Sequence, residues 1–457
     1  MDKEKSETVV GKVEDVFIED VLAASEEERA LVRHVDRILL PTLWFMYLFS
    51  YADRTNIGNA KISGMSKDLH LSSDQYSLSL VLFFIPYIIF QIPSILALSK
   101  TRPSVYLPII MILWGVLTCL MAVVQNNRAL YAVRFVTGAL EAGFAPGVNL
   151  LLSTWYKKDE QAKRFSIFYS AAVLSGALGG IVAGAITGSL DGARGIAGWR
   201  WLFIVEGAGT IACALISAFF LPDYPATTKR FTERERQLAV ERLIVDSGAV
   251  WTEDGPEVSA LDALREALGN WRTWLFTVGY VAIGGSGTMS YFYPTLVAGL
   301  GYTSHMAQYM VVPIYSVAFV CVLITGYMND LKPNHRGLVI ASCLAVSMTC
   351  SIIICAVYNY TARYVLLVFL ASALLSSNPL SLAYVSSSFA STSRDTRGVA
   401  LAFINAAANF SQIYGAYLFP SKDAPKYLMG FGVISGLCAV GVAVYSTLHV
   451  LVRKYPL

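Results

Sequence analysis

The sequence predicts an all-α integral membrane protein of twelve transmembrane helices. Hydrophobic residues make up 55% of the chain and charged residues only 15%, and the mean hydropathy is +0.53. About a dozen apolar runs approach the roughly 20 residues that a helix needs to span a bilayer. A soluble surface cannot tolerate this balance, so we expect lipid to be the main solvent.

The twelve spans lie between charged or Gly/Pro-rich breaks. They are residues 38–58, 77–98, 105–125, 129–152, 165–189, 199–221, 273–298, 306–328, 337–358, 363–388, 398–419 and 428–452. One long polar insert divides them six and six. The predicted parts are a tail (1–37), a six-helix bundle (38–221), a connector (222–272), a second six-helix bundle (273–452) and a short terminus (453–457).

The connector contains a charged amphipathic stretch at residues 231–243, which predicts a short helix. Gly248 and Gly255 interrupt that pattern, so we expect a flexible linker after it. The fifth span is unusual because it is rich in small residues, which let helix backbones approach closely in lipid. We expect it to be buried against its neighbours through Ser170, Ala171, Gly176, Gly179, Gly180 and Gly184.

Lys and Arg are enriched in alternate short loops, which predicts that these loops and both termini are cytosolic. The enriched loops carry Lys100, Arg102, Lys157, Lys158, Lys163, Arg164, Lys332, Arg336, Arg394, Arg397, Arg453 and Lys454. Arg54, Lys61 and Lys67 crowd the first of the other loops and blur the count. The N-terminal region lacks the pattern of a removable signal peptide. We expect a multi-pass protein of the plasma membrane.

Several functional classes are excluded or disfavoured. The chain has no Gly-x-x-x-x-Gly-Lys-Ser/Thr loop, which disfavours ATP-driven pumping. Its seven cysteines lie in apolar segments without metal-type spacing, and its five histidines are scattered, so we expect no metal, no cofactor and no enzyme activity. A net charge of +3 is too small to indicate nucleic acid as a partner. We expect a small solute and the bilayer as partners, and a monomer as the working unit.

Ionisable residues inside spans are costly and therefore informative. Arg134 and Glu141 share the fourth span, seven residues apart, which places both on one helix face but about 10 Å apart along the axis. That separation is too long for a direct ion pair. A cation with a carboxylate is what a proton-coupled anion carrier needs, Arg134 to bind the anion and Glu141 to carry the proton. The alternative is that Arg134 caps a neighbouring helix and Glu141 satisfies backbone or serine groups.

The end of the first span offers a second group of candidates. If its helix continues through Asn56, then Arg54 and Asn56 lie near a central cavity, where Arg54 can hold a carboxylate and Asp53 can carry a proton. If the helix ends at Tyr51, Asp53 and Arg54 are interfacial anchors. Glu206 in the sixth span is a third candidate, for which we expect pairing with a loop arginine in preference to carrying a proton.

Polar and aromatic residues of the second half complete the candidate substrate site. Such residues can line a cavity, although tyrosines also pack at membrane interfaces. The candidates are Tyr291, Tyr315, Asn378 and Tyr384.

Together these motifs resemble the anion:cation symporters of the major facilitator superfamily, especially the fungal allantoate, nicotinate and pantothenate permeases. The resemblance covers residues 38–452. The sequences that carry it are Asp53-Arg-Thr-Asn-Ile-Gly-Asn-Ala60, Arg134-Phe-Val-Thr-Gly-Ala-Leu-Glu-Ala-Gly-Phe-Ala-Pro-Gly147, Ser153-Thr-Trp-Tyr156 with Arg164, Gly198-Trp-Arg-Trp-Leu-Phe-Ile-Val-Glu-Gly207, Leu221-Pro-Asp-Tyr-Pro225 and Tyr293-Pro-Thr-Leu296.

The resemblance implies a fold of two six-helix halves that rock about a central site, uptake of small organic anions such as vitamin or ureide carboxylates, and coupling to protons. It also implies that Arg164, Asp330 and Arg397 hold a cytosolic gate. The segment Tyr384-Val-Ser-Ser-Ser-Phe389 differs from the sequence that is common in this group, and its helix borders the cavity. The identity of the substrate therefore does not follow from that of any one relative. Two alternatives remain: efflux of an acidic secondary metabolite, and a nutrient sensor that transports nothing.

Overall fold

The computed structural model of the chain describes residues 2–247, 260–331, 335–389 and 394–455. The side chains of residues 2–25 and of some helix residues, among them Asp330 and Arg397, lie outside that description. The first half contains α1 (Asp2–Ala60), α2 (Ser66–Asp68), α3 (Ser73–Ser99), α4 (Pro103–Leu120), α5 (Asn127–Glu141), α6 (Phe144–Trp155), α7 (Lys158–Ser189) and α8 (Gly198–Phe220).

The connector and the second half are also helical. The connector contains α9 (Glu233–Ser247) and α10 (Ala260–Gly269). The second half contains α11 (Trp271–Gly287), α12 (Tyr293–Ala298), α13 (Ser304–Tyr309), α14 (Val311–Leu331), α15 (Arg336–Ala356), α16 (Tyr360–Ser388), α17 (Arg394–Gly415) and α18 (Leu428–Lys454). The predicted all-α class is therefore confirmed.

Each of the twelve predicted spans falls on helix, and nine helices of the described residues are long and apolar enough to cross a membrane. The other three spans lie on α1, on α11 with α12, and on α17. Buried polar residues such as Asp53 and Asn56 lower the apolarity of α1. The count of twelve stays a prediction that agrees with these helices.

Two spans are broken at positions that bear on the site. The fourth span divides at Gly143 into α5 and α6, so that Glu141 is the last residue of α5. The seventh span divides into α11, a 3₁₀ segment Thr288–Phe292, and α12, which has Pro294 in its first turn. Proline is tolerated there because a first turn needs no bond from its nitrogen. Tyr291 therefore lies in the 3₁₀ segment.

The two halves pack together at the end of the bundle that lies away from both termini. We call this the distal end, formed by residues 58–77, 184–190, 291–309 and 416–421. Ser77 Oγ donates to the carbonyl of Ala416 at 2.7 Å, and Gln308 Nε2 donates to Ser63 Oγ at 2.6 Å. Thr187 Oγ1 donates to Gln308 Oε1 at 2.8 Å. The distal end is closed in this structure.

Three of the small residues of α7 allow this close packing, as the sequence predicted for them, whereas nothing lies within 4 Å of a Cβ at Gly179. A Cβ at Gly176 would lie 2.3 Å from the ring of Tyr315, and one at Gly180 would lie 2.7 Å from the carbonyl oxygen of Gln308. A Cβ at Gly184 would lie 2.6 Å from the ring of Tyr309. These three glycines are four residues apart and share one helix face, which contacts the second half.

Gly180→Ala should destabilise the protein, because its methyl group would collide with the backbone of the second half and not with a flexible side chain. Overpacking of this kind costs about 1–3 kcal/mol. Thermal unfolding of the purified protein should show a lower Tm. Gly179→Ala is the matched control, since nothing lies within 4 Å of its Cβ. Equal Tm values for both variants would contradict the close packing at Gly180.

The connector is attached to the first half through α9. The guanidinium of Arg242 is buried and donates to the carboxylate of Glu160 at 2.5 Å and to the carbonyl of Trp155 at 3.1 Å. The predicted short helix is therefore present, but α10 forms in part of the region where a linker was expected. Its sequence, rich in Ala and Leu, favours helix. Residues 248–259, which contain Gly248 and Gly255, lie outside the described residues.

Arg242→Ala should release α9 from the bundle, because it removes the donor that joins α9 to the carboxylate of Glu160 and to the carbonyl of Trp155. Lost hydrogen bonds to charged groups cost about 2 kcal/mol each. Limited proteolysis should then cut the connector faster. Arg234→Ala is the control on the same helix, since its pair with Glu27 is exposed to solvent and contributes little. Equal cleavage of the two variants would argue against the anchoring role of Arg242.

Candidate functional site

The candidate site begins with an ion pair between α1 and α5. Because α1 continues to Ala60, Arg54 lies inside the bundle and not at an interface. Its Nε donates to Glu141 Oε1 at 2.5 Å, and Ser50 Oγ donates to the same oxygen at 2.6 Å. Glu141 is fully buried and Arg54 is 9% exposed. The first alternative for the helix end, continuation through Asn56, is the one that the structure has.

The ion pair leaves polar atoms unused. Nη2 of Arg54 and Oε2 of Glu141 are buried, and neither has a hydrogen-bond partner among the described residues. A buried charged group without its full set of partners is costly. These two atoms are therefore positions at which a polar ligand or a proton would lower the free energy of the site.

Arg134 lies beside this pair without an anion of its own. Its Nε is 3.5 Å from the carbonyl of Ser79, at the limit of a hydrogen bond, and its guanidinium carbon is 4.6 Å from the ring centroid of Phe83. The guanidinium carbon of Arg54 is 5.8 Å from the same ring. Within the described residues no carboxylate lies in ion-pairing distance of Arg134. The two buried cations thus share the ring of Phe83, but only Arg54 has a carboxylate partner.

Asp53 is bonded to residues of α4 and α8 and not to either arginine. Its Oδ2 accepts hydrogen bonds from Trp114 Nε1 at 3.1 Å and from Thr210 Oγ1 at 2.9 Å. Asn56, one turn further along α1, is also buried, beside Glu206 of α8. Glu206 is buried on α8, and the predicted pairing with a loop arginine is wrong for the arginines that the structure describes.

The candidates of the second half fall into two groups. Tyr291 and Tyr315 lie where the halves meet: Tyr291 packs edge-on against Phe84 of α3 at 5.8 Å, and Tyr315 packs against Gly176 of α7. Asn378 and Tyr384 are bonded within their own half. Asn378 Oδ1 accepts from Tyr280 at 3.1 Å, and the Tyr384 hydroxyl donates to the carbonyl of Leu448 at 3.3 Å. The structure therefore brings the first group, and not the second, to the interface.

Comparison with known proteins identifies the family. The sequence pattern of the Major Facilitator Superfamily matches residues 43–416. The chain belongs to the major facilitator superfamily. Its relatives include the MFS transporter prlL of a fungal species, 34% identical over 94% of this chain and 88% of the relative. They also include the MFS-type transporter cnsO of Penicillium expansum, 32% identical over 96% of this chain and 86% of the relative.

The fold agrees with this assignment. A bacterial homologue of the human lysosomal transporter Spinster, in an inward-facing and unoccupied conformation, superposes with a TM-score of 0.70 over 91% of this chain and 96% of its own. It is 15% identical, so the likeness shows the fold alone. This major facilitator protein is a multi-pass membrane transporter of a small molecule and not an enzyme.

The gate residues implied by the resemblance lie at the other end of this transporter, near the termini. Arg164 donates to both oxygens of Asp36, from Nε at 3.1 Å and from Nη2 at 2.8 Å, so its partner belongs to the same half. The side chains of Asp330 and Arg397 lie outside the described residues. A cleft of about 1010 Å³ opens beside Arg164, and neither Arg54 nor Arg134 lines it.

Some residues of the site were not predicted from the sequence. Ser50 binds Glu141, while Phe83 and Tyr87 lie against the arginines. Spacing could have indicated Ser50, which precedes Arg54 by one helical turn. Phe83 and Tyr87 are also one turn apart on α3, but an apolar span offers many such pairs. Trp114 and Thr210, the partners of Asp53, come from distant helices and have no local signal.

Proposed function

We propose that the transporter imports a small organic anion together with a proton. The observation that supports this most is Arg134, a buried cation without a carboxylate partner, next to a second arginine whose single carboxylate can be neutralised by a proton. An unpaired charge inside a membrane protein is expensive and marks a ligand or ion pathway. A guanidinium favours carboxylate ligands because its planar fork binds both oxygens.

The arrangement suggests how the two solutes are coupled. While Glu141 is ionised, it occupies Arg54, and Arg134 alone attracts an anion. When Glu141 takes a proton, Arg54 loses its ionic partner and can bind the anion with Arg134. Proton and anion then enter together with little change in the charge of the site. Release of the proton restores the Arg54–Glu141 pair, which competes with the anion and expels it.

The remaining assignments are part of the same proposal. Asp53 is a second proton carrier, and Asn56, Tyr291, Tyr315, Asn378 and Tyr384 line the substrate path in the course of the transport cycle. Arg164, Asp330 and Arg397 join the halves when the end near the termini closes. We assign both termini to the cytosol, the protein to the plasma membrane and the monomer as the transporting unit. The resemblance to anion:cation symporters favours a vitamin or ureide carboxylate.

Uptake measurements test the proposal. The protein is expressed in a permease-deficient host, and a panel of labelled carboxylates is offered at two external pH values. We expect uptake of at least one carboxylate, faster at the lower pH. Two results together would show that the protein is an exporter: no uptake of any carboxylate, and a higher content of an acidic product in native cells that lack the transporter. A growth response to a nutrient that is not taken up would indicate a sensor.

A further inference from the structure

One face of α3 carries a row of aromatic rings, and each ring has a cation against it. Tyr76, Phe83 and Tyr87 are spaced by seven and then four residues, which places them on one side of the helix. The ammonium of Lys61 lies 4.2 Å from the ring centroid of Tyr76. The guanidinium carbon of Arg134 lies 4.6 Å from Phe83, and that of Arg54 lies 4.5 Å from Tyr87.

The row runs from the distal end towards the middle of the bundle. Eleven residues of helix separate Tyr76 from Tyr87, which corresponds to about 16 Å along the axis. Lys61 is thus the outermost of three cations, and the two arginines of the candidate site follow it. The arginines already have a role in the proposed function, whereas Lys61 has none.

Lys61 is held in an unusual environment for an ammonium group. Its Nζ is buried, and among the described residues it has neither a hydrogen-bond partner nor a carboxylate in ion-pairing distance. Besides Tyr76, the ring of Phe292 lies against it, with its centroid 5.6 Å from Nζ. Cation–π contacts offset part of the free energy that the ammonium group loses when it is removed from water. Its three N–H donors, however, find poor hydrogen-bond acceptors in aromatic rings. Lys61 therefore retains capacity to bind an anion.

The two rings that cover Lys61 belong to different halves. Tyr76 is on α3 of the first half, and Phe292 lies in the 3₁₀ segment of the second half, with 6.2 Å between the two ring centroids. If the halves separate at the distal end, Phe292 moves away with its half and Lys61 stays with Tyr76. Opening would therefore expose the ammonium group, and closing would cover it again.

We propose that Lys61 is an anion-binding residue at the distal entrance, which captures the carboxylate of the substrate before Arg134 receives it. This proposal rests on the proposed transport of an organic anion. On closure, Phe292 replaces the anion against Lys61, and the anion moves along the face of α3 to the arginines. Binding at the entrance must be reversible. Lys61 meets this requirement, because its ammonium group is free of Phe292 only while the distal end is open.

The test compares Lys61→Gln with wild type in uptake from the distal side. The KM for the anion should rise by about five- to tenfold, as expected for the loss of one charge-assisted contact in a partly hydrated site. The Vmax should change little. Lys61→Arg, which keeps the charge, should retain a KM close to that of wild type. Lys61→Met, which keeps a long stem beside Tyr76, should show the same rise as Lys61→Gln.

The matched control is Lys67→Gln, since Lys67 lies near the same end but is exposed. It should leave KM unchanged. A wild-type KM in Lys61→Gln, or a fall of Vmax at constant KM, would overturn the binding role. An equal rise in Lys67→Gln would attribute the effect to general surface charge and overturn it too. If wild type moves no carboxylate at all, the proposed function itself fails, which the wild-type measurement detects separately.

Discussion

Glu141→Gln is expected to abolish pH-driven accumulation of the substrate while leaving counterflow exchange intact. Glutamine keeps an oxygen that accepts from Ser50 and Arg54, but it cannot ionise, so it imitates the protonated carboxylate. The anion can still bind and cross, but no proton is released. Each unit of pH difference contributes about 1.4 kcal/mol, or about tenfold accumulation, per coupled proton. The variant should therefore equilibrate the anion without concentrating it, in uptake assays at two external pH values.

The control for this variant is Glu206→Gln, which removes another buried carboxylate of the first half that has no ion-pair partner among the described residues. It should retain accumulation. Counterflow is measured with unlabelled anion on the far side and no pH gradient. Loss of accumulation and of counterflow to the same degree, in Glu141→Gln protein that reaches the membrane, would refute the proton role of Glu141.

The pattern of the fourth span predicted part of the site geometry. A separation of seven residues implied that Arg134 and Glu141 could not pair with each other, and in the structure each has other partners. The sequence could not say which partners. Arg54 and Ser50 lie on another helix, and Arg54 is 87 positions away from Glu141, so the pairing depends on how α1 and α5 pack. The alternative expectation, that Arg134 caps a neighbouring helix and Glu141 satisfies backbone or serine groups, is met in part. Arg134 approaches the carbonyl of Ser79, and Glu141 accepts a hydrogen bond from Ser50.

The end of the first span shows why hydropathy failed there. Asp53, Arg54 and Lys61 are charged, so a hydropathy average cannot distinguish the end of a span from a polar part of a buried helix. In the structure α1 continues to Ala60, and Arg54 and Nζ of Lys61 are buried. Two of the three residues that blurred the charge count of the first loop are thus not loop residues. Their burial in the structure places them beside the site, which their position in the sequence did not indicate.

The break in the seventh span could not be predicted from the spacing of apolar residues. An apolar stretch rich in glycine fits a continuous helix as well as a helix with a 3₁₀ segment, and the choice depends on contacts with the other half. A Cβ at Gly58 would lie 2.6 Å from the carbonyl oxygen of Tyr291. This close approach places the 3₁₀ segment against α1, and with it Tyr291 and Phe292, which lie near the cations of the first half.

Arg134→Ala is expected to weaken substrate binding more than any other single change. In the proposed site Arg134 is the cation that is free to attract an anion while Glu141 is ionised, and its loss removes a charge-assisted contact worth about 1.5–3 kcal/mol. The KM for the transported anion should therefore rise by about ten- to a hundredfold. In purified protein, the anion should raise the Tm of wild type and have little effect on the variant, because only a bound ligand stabilises the folded state.

Two comparisons separate binding from folding in this experiment. Arg134→Lys keeps the charge but loses the planar fork, so its KM should lie between those of wild type and Arg134→Ala. Arg363 is a buried arginine that donates to the carbonyls of Pro425 and Lys426, far from the site, and Arg363→Lys should lower the Tm without altering the shift caused by the anion. An unchanged affinity in Arg134→Ala would remove Arg134 from the site, and the two-arginine mechanism would then have to be replaced by one in which Arg54 alone binds the anion after Glu141 is protonated.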